Sequence, residues 1–126
     1  MKIAITVWGN RISPVFDAAS TLLLVELDGN DVASRDIRPC QPSRHDSFVA
    51  LLKDNDVQLL ICGAICEPAV KRLEATGLDV VPFLAGEVEQ LIESCLVGQD
   101  FSEFAMPGCR HGRCCRGKYK GVESQE

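Results

Sequence analysis

The chain has 126 residues, of which 46% are hydrophobic, enough for one buried core and too few for two independent domains. Its apolar stretches, such as Ile3–Trp8 and Leu22–Val25, fall far short of the roughly 20 residues that cross a bilayer. The net charge of −5 hides an asymmetry: residues 1–105 carry 8 Lys and Arg against 16 Asp and Glu, whereas Met106–Gly121 holds five bases and no acid.

No small-residue cleavage site follows the N-terminal apolar run before Gly9-Asn10-Arg11, so secretion is not expected and the cytoplasm is. Seven cysteines cannot all pair within one chain, and a core of this size has no need of a disulfide framework; reduced thiols are expected.

Ile3–Trp8 is an unbroken apolar run and predicts a strand buried on both faces in the middle of a sheet. Thr21–Asp28 predicts a second strand, and the turn signal Asp28-Gly29-Asn30-Asp31 leads to a third, Val32–Arg38, whose polar character and closing Pro39 suit a sheet edge. Ser43 is the expected cap of a first helix, with Phe48, Leu51 and Leu52 at helical spacing. Val57–Cys62 predicts a buried strand. A second helix follows, with Pro68 in its first turn, Val70 and Leu73 facing inward and Gly77 at its end. Leu78–Phe83 predicts the last strand. Val88, Leu91, Ile92, Cys95 and Leu96 recur at i, i+3, i+4, i+7 and i+8, and Gly98 closes this third helix. The order β-β-β-α-β-α-β-α predicts an α/β domain with a mixed five-stranded sheet of ribonuclease-H-like topology over residues 1–105, flanked by helices. A basic, cysteine-rich tail occupies residues 106–126.

A ribonuclease-H-like nuclease requires metal-clamping carboxylates on its first strand, and Ile3-Ala4-Ile5-Thr6-Val7 has none. Neither a dinucleotide fingerprint, a Walker sequence nor a serine-hydrolase elbow is present, so neither nucleotide binding nor serine-hydrolase chemistry is indicated. Nucleic acid is not an expected partner either, because the tail has Tyr119 alone for base stacking and the body is acidic.

The tail places Cys109, His111, Cys114 and Cys115 within seven positions, interleaved with Arg110, Arg113 and Arg116. Thiolates and imidazole are ligands for zinc, copper(I) and iron–sulfur centres, and neighbouring cations favour the thiolate. The spacing lacks the Cys-x-x-Cys pairs of structural zinc sites, which leaves open a basic tail with incidental thiols. Cys62 and Cys95 read as core, Cys40 is unassigned, and His45 reads as a surface residue held in reserve as a ligand. Cys66, between a strand end and a helix start, is the better candidate in the body, since ligands gather there in α/β folds. The loop from Gly9 to Asp17 opens on the same edge. Arg11 and Ser13 in it either bind a ligand or belong to a loop that caps the core.

Arg11-Ile12-Ser13-Pro14-Val15-Phe16-Asp17, Leu60-Ile61-Cys62-Gly63-Ala64-Ile65, the segment Gly77–Pro82, Gly86-x-Val88-Glu89 and Phe104-x-Met106-Pro107-Gly108-Cys109 together resemble the dinitrogenase iron–molybdenum cofactor biosynthesis family. The resemblance runs over about residues 1–109. It departs from the family pattern at Cys66, where many relatives read Ser, and at the added Cys114 and Cys115. It implies a ribonuclease-H-like fold and non-catalytic binding of an iron–molybdenum or iron–sulfur cluster, exchanged with donating and accepting proteins. The expected cargo ligands are Cys66, Cys109, His111, Cys114 and Cys115, with Arg11, Ser13, Arg110, Arg113 and Arg116 around the cluster. The alternative is a regulatory interaction module whose tail senses redox state or takes up zinc.

Overall fold

The computed structural model describes residues 1–98 and 104–105. In chain order the elements are β1 (Lys2–Trp8), β2 (Arg11–Ile12), β3 (Thr21–Asp28), β4 (Asp31–Pro39), α1 (His45–Asp54), β5 (Leu59–Ile61), α2 (Glu67–Glu74), β6 (Asp79–Val81) and α3 (Val88–Val97). They form a mixed α/β fold. The sheet runs β4-β3-β1-β5-β6, with β2 paired to β1 off this path. β1 is antiparallel to β3 and parallel to β5, which is parallel to β6.

The period-two alternation of β1 divides the core between two faces of the sheet. Ile3, Ile5 and Val7 join Ile61, Val81, Leu91 and Ile92 in the layer covered by α3. Ala4 faces the other way with Leu60, Phe48, Leu52 and Leu73, beneath α1 and α2. Burial of β1 on both faces is why its sequence is continuously apolar rather than alternating. β4, at the sheet edge, is mostly exposed and is tied to α3 by Arg35, which donates to both carboxylate oxygens of Glu89 at 2.6 and 2.9 Å. The hydrogen bonds, and then the charge, hold Glu89 below the usual carboxylate range and raise Arg35. The pair is exposed, so it contributes at most about 1 kcal/mol.

Several expectations require correction. Among the described residues the sheet has six strands, because Gly9, at φ +65°, and Asn10 make a two-residue turn that folds Arg11–Ile12 back onto Val7 and Trp8. Trp8 consequently sits on a hairpin beyond the helix layers and is 74% exposed, not buried with the rest of its strand. Helix α1 begins at His45, capped by Arg44 without a side-chain hydrogen bond, because the Arg44 N–H first closes a turn on the Gln41 carbonyl; Ser43 lies outside it. The inner strands are also shorter than their apolar runs. Asp56 before β5 and Phe83 after β6 adopt φ of +57° and +63°, which turns the chain out of the ladder on either side. In α2, Ala69 and Leu73 face the core and Val70 is half-buried. The third helix is as its pattern implies: Val88, Leu91, Ile92 and Cys95 are buried, and Gly98 ends it in the left-handed conformation at φ +75°.

Candidate functional site

The parallel strands β1, β5 and β6 end at one edge of the sheet, and the segments that follow them, residues 9–20, 62–66 and 82–87, make a continuous rim. Backbone hydrogen bonds join these segments to one another. Ser13 N–H donates to the Thr6 carbonyl at 2.8 Å, Ala64 N–H to Pro14 at 2.9 Å and Phe16 N–H to Ala64 at 2.8 Å. On the other side, Ile12 N–H donates to Gly86 at 3.0 Å, Val88 N–H to Asn10 at 2.9 Å and Phe83 N–H to Gly63 at 2.9 Å. A rim bonded in this way is a preorganised surface, since its backbone groups are already partnered within the protein.

Gly63 is the point of closest approach. A Cβ there would lie 2.3 Å from the Ser13 oxygen and 2.6 Å from the Pro14 oxygen, both backbone atoms, so only glycine allows the two segments to touch. Phe16 anchors the same loop from below, edge-on to Phe48 with ring centroids 5.3 Å apart.

On this rim the body's expected site residues occupy distinct positions. Cys66 is the N-cap of α2, with an extended backbone (φ −76°, ψ 152°); its side chain makes no capping bond and is exposed. Arg11 is exposed on β2, opposite Trp8, and its backbone bridges Glu87. Ser13 is buried, and its hydroxyl donates to the Val15 carbonyl at 3.2 Å. The Val15–Ala64 bridge joins the loop of Arg11 and Ser13 to that of Cys66. Cavities open on both flanks: about 270 Å³ beside Trp8, Pro14 and Val15, and about 260 Å³ between Ile65, Val70, Lys71, Pro82 and Phe83. His45 is the half-buried first residue of α1.

The other described thiols are unsuited to coordination as they stand. Cys40, Cys62 and Cys95 are buried, and desolvation pushes Cys40 up to about 11, Cys95 up to about 12 and Cys62 in the same direction. They remain protonated thiols near neutral pH. Cys66 is the exposed cysteine among the described residues. No three His, Cys, Asp or Glu of the described residues are placed to hold a metal ion together. Cys109, Arg110, His111, Arg113, Cys114, Cys115 and Arg116 lie outside the described residues. The last described residues return to the rim, where Ala85 N–H donates to the Phe104 carbonyl at 2.7 Å and Ala105 bridges Leu84.

Sequence patterns did not disclose Trp8 or Gly63 as features of the rim. For Trp8 the available signal was Gly9-Asn10, a two-residue hairpin turn directly after the strand. Gly63, inside an apolar run, is the pattern that marks close backbone approach.

Fold and rim together define a mixed α/β domain with a rigid, thiol-bearing surface at the carboxyl ends of its parallel strands. The model of the dinitrogenase iron–molybdenum cofactor family matches residues 1–98, and the chain belongs to that family. No curated protein sequence matches it. Among solved structures it is similar to the protein PH0822, at 19% identity and a TM-score of 0.69 over 77% of this chain and 89% of that one. It is similar also to a Methanocaldococcus jannaschii protein provisionally described as a dinitrogenase, at 26% identity and a TM-score of 0.62 over 77% and 88%. A third is the apo form of the orange protein of Desulfovibrio gigas, at 22% identity and a TM-score of 0.56 over 76% and 87%. The family connects the chain with cofactor biosynthesis in nitrogen fixation. No helix among the described residues is long and apolar enough to cross a membrane.

Proposed function

We propose that the chain is a non-catalytic carrier, in the cytoplasm, of an iron–molybdenum-type or other iron–sulfur cluster, or its precursor, which it receives from one protein and passes to another. The observation that carries this reading is the return of the chain to the rim at Ala105. Cys109 is four residues further on, within about 14 Å of Ala105 even on a fully extended chain. In this reading the Cys109 thiol acts together with the surface that presents Cys66. In this arrangement Cys66, Cys109, His111, Cys114 and Cys115 supply the ligands, and Arg11, Arg110, Arg113 and Arg116 donate charge-assisted hydrogen bonds to cluster sulfides. Ser13 contributes by holding the loop through Val15. The ribonuclease-H-like class is part of this proposal, supported by the path β4-β3-β1-β5-β6 with β1 at its centre.

Anaerobic reconstitution with iron and sulfide, with and without molybdate, tests the reading. The full chain retains a coloured cluster after desalting, Cys66→Ser retains less, and truncation after Gly108 retains least. Equal retention by the truncated chain moves the site wholly onto the body. A colourless protein that binds zinc tightly would instead establish the sensing module.

A further inference from the structure

Edge strand β4 carries a self-complementary pairing surface, and we propose that the chain forms a two-fold dimer by antiparallel β4–β4 association centred on Ile37. The direction of the backbone groups follows from the hydrogen bonds. The Met1 amine donates to the Leu27 carbonyl at 2.9 Å and Leu27 N–H donates back at 2.7 Å, so the odd-numbered residues of β3 face β1 and Leu22 and Leu24 face β4. Their partners Arg38 and Asp36 therefore point inward, in agreement with the bond from Cys40 N–H to the Ser20 carbonyl at 3.1 Å. Arg35, Ile37 and Pro39 direct their backbone groups away from the sheet. Pro39, without an N–H, accordingly sits where its missing donor would have faced solvent.

A two-fold pairing must match these outward residues with one another, which leaves few registers. Centring on Arg35 or on Arg38 opposes two guanidinium groups, and centring on Asp36 opposes two carboxylates; both arrangements are destabilising. Centring on Ile37 sets isoleucine against isoleucine, covering a side chain that is 66% exposed in the monomer. It also sets each Asp36 against the second copy's Arg38 on the opposite face. These two side chains already pair within one strand at 2.6 Å, so the dimer alternates their signs across the join. Ile37 exchanges both its backbone hydrogen bonds with the second copy's Ile37, and each Arg35 N–H donates to the other copy's Pro39 carbonyl. Because the copies run antiparallel, their rims face opposite ways and both stay open.

Sedimentation velocity on the full chain from about 10 μM to about 1 mM tests this, a range suited to a small interface. The apparent mass rises from 13.7 kDa toward twice that value, and Ile37→Lys abolishes the rise. Asp36→Arg alone weakens the dimer at least about tenfold, and Asp36→Arg combined with Arg38→Asp restores it, a readout that a merely sticky edge would not give. Under mild oxidation Ile37→Cys yields a disulfide between two copies of position 37, identified by peptide mass. Arg35→Cys does not, because its two copies lie about 14 Å apart in this register. A constant mass of 13.7 kDa over the whole range, failure of the charge-swapped pair to recover, or equal cross-linking at both positions overturns the proposal.

Discussion

Replacing Gly63 by alanine tests whether the rim is held by direct backbone contact. The added methyl would meet the Ser13 and Pro14 carbonyl oxygens at 2.3 and 2.6 Å, well inside van der Waals contact, and neither atom is the movable end of a side chain. The loop of Ser13 and Pro14 has to withdraw. Withdrawal breaks Ala64 N–H to Pro14 and Phe16 N–H to Ala64, at about 1 kcal/mol each. It also lifts Phe16, 2% exposed, partly off Phe48, for a further loss of about 1–2 kcal/mol. The sum, about 3–4 kcal/mol, lowers the midpoint of a thermal melt by about 10–20 °C for a domain of this size. Gly77→Ala is the control: its φ of +92° strains any side chain but nothing among the described residues lies within 4 Å, so the loss there is about 1 kcal/mol. Circular dichroism melts of the two variants beside the parent decide the matter. A Gly63→Ala melt no lower than that of Gly77→Ala would refute the close approach.

Among the described residues Thr6 Oγ1 is fully buried without a hydrogen-bond partner, so Thr6→Val, nearly the same shape, should raise stability by about 1 kcal/mol in urea titration; a lower midpoint would mean that the hydroxyl is satisfied. The buried thiols give a pH dependence. Their raised native pKa values, about 11 for Cys40 and about 12 for Cys95, leave the folded protein holding protons that the unfolded chain releases near pH 8.5. Stability is therefore intact below about pH 8.5 and falls above it, by about 1.4 kcal/mol per pH unit for each thiol, until the native thiols ionise. Cys95→Ala should show a shallower decline between pH 8 and 10, and an unchanged slope would contradict the argument. Trp8 is the chain's single tryptophan and stands exposed on the rim, so uptake of a coloured cluster there quenches its emission in step with occupancy; full emission from loaded protein would place the cargo elsewhere.

Elements built from local patterns were legible before the structure. The run Ile3–Trp8 pointed to a strand covered on both faces, which holds as far as Val7, and the spacing from Val88 to Cys95 with Gly98 beyond it specified α3 and its end. What escaped depends on contacts between distant segments. β2 has two residues and no periodicity; it exists because the Gly9-Asn10 turn sets Ile12 against Val7 and against the Gly86 carbonyl. Ser43 satisfied every local rule for a cap but yielded to a turn between Gln41 and Arg44. In the site, Cys66 stood out as a thiol between strand and helix, whereas the role of Gly63 is invisible until Ser13 and Pro14 are seen against it. The buried positions of Cys62 and Cys95 followed from their apolar neighbours, and that burial separates them from Cys66.

For the proposed carrier, the charge distribution in the sequence implies different tasks for the rim and the tail. On the rim, Glu67 already occupies the first turn of α2, where the helix dipole favours negative charge, and Glu87 stands across from Arg11. Asp17 lies in the same loop as Ser13, and residues 1–105 carry twice as many acids as bases. An anionic cluster on such a surface is repelled unless cations come from elsewhere, and Met106–Gly121 is the part of the chain that holds bases without acids. In the proposed carrier the rim would contribute shape and the Cys66 thiol, and the tail its charge together with its own thiols and imidazole. Replacing Arg110, Arg113 and Arg116 together by Gln keeps every thiol. If each arginine contributes about 0.5–1 kcal/mol in a solvent-exposed setting, cluster retention falls about 10- to 100-fold. Arg11→Gln alone should cost less than tenfold. The triple variant should also lose most of the salt dependence of binding, because the screened charges are gone. Retention that survives the triple substitution and still weakens with salt would show that the rim itself attracts the cluster, against the balance of charges upon it.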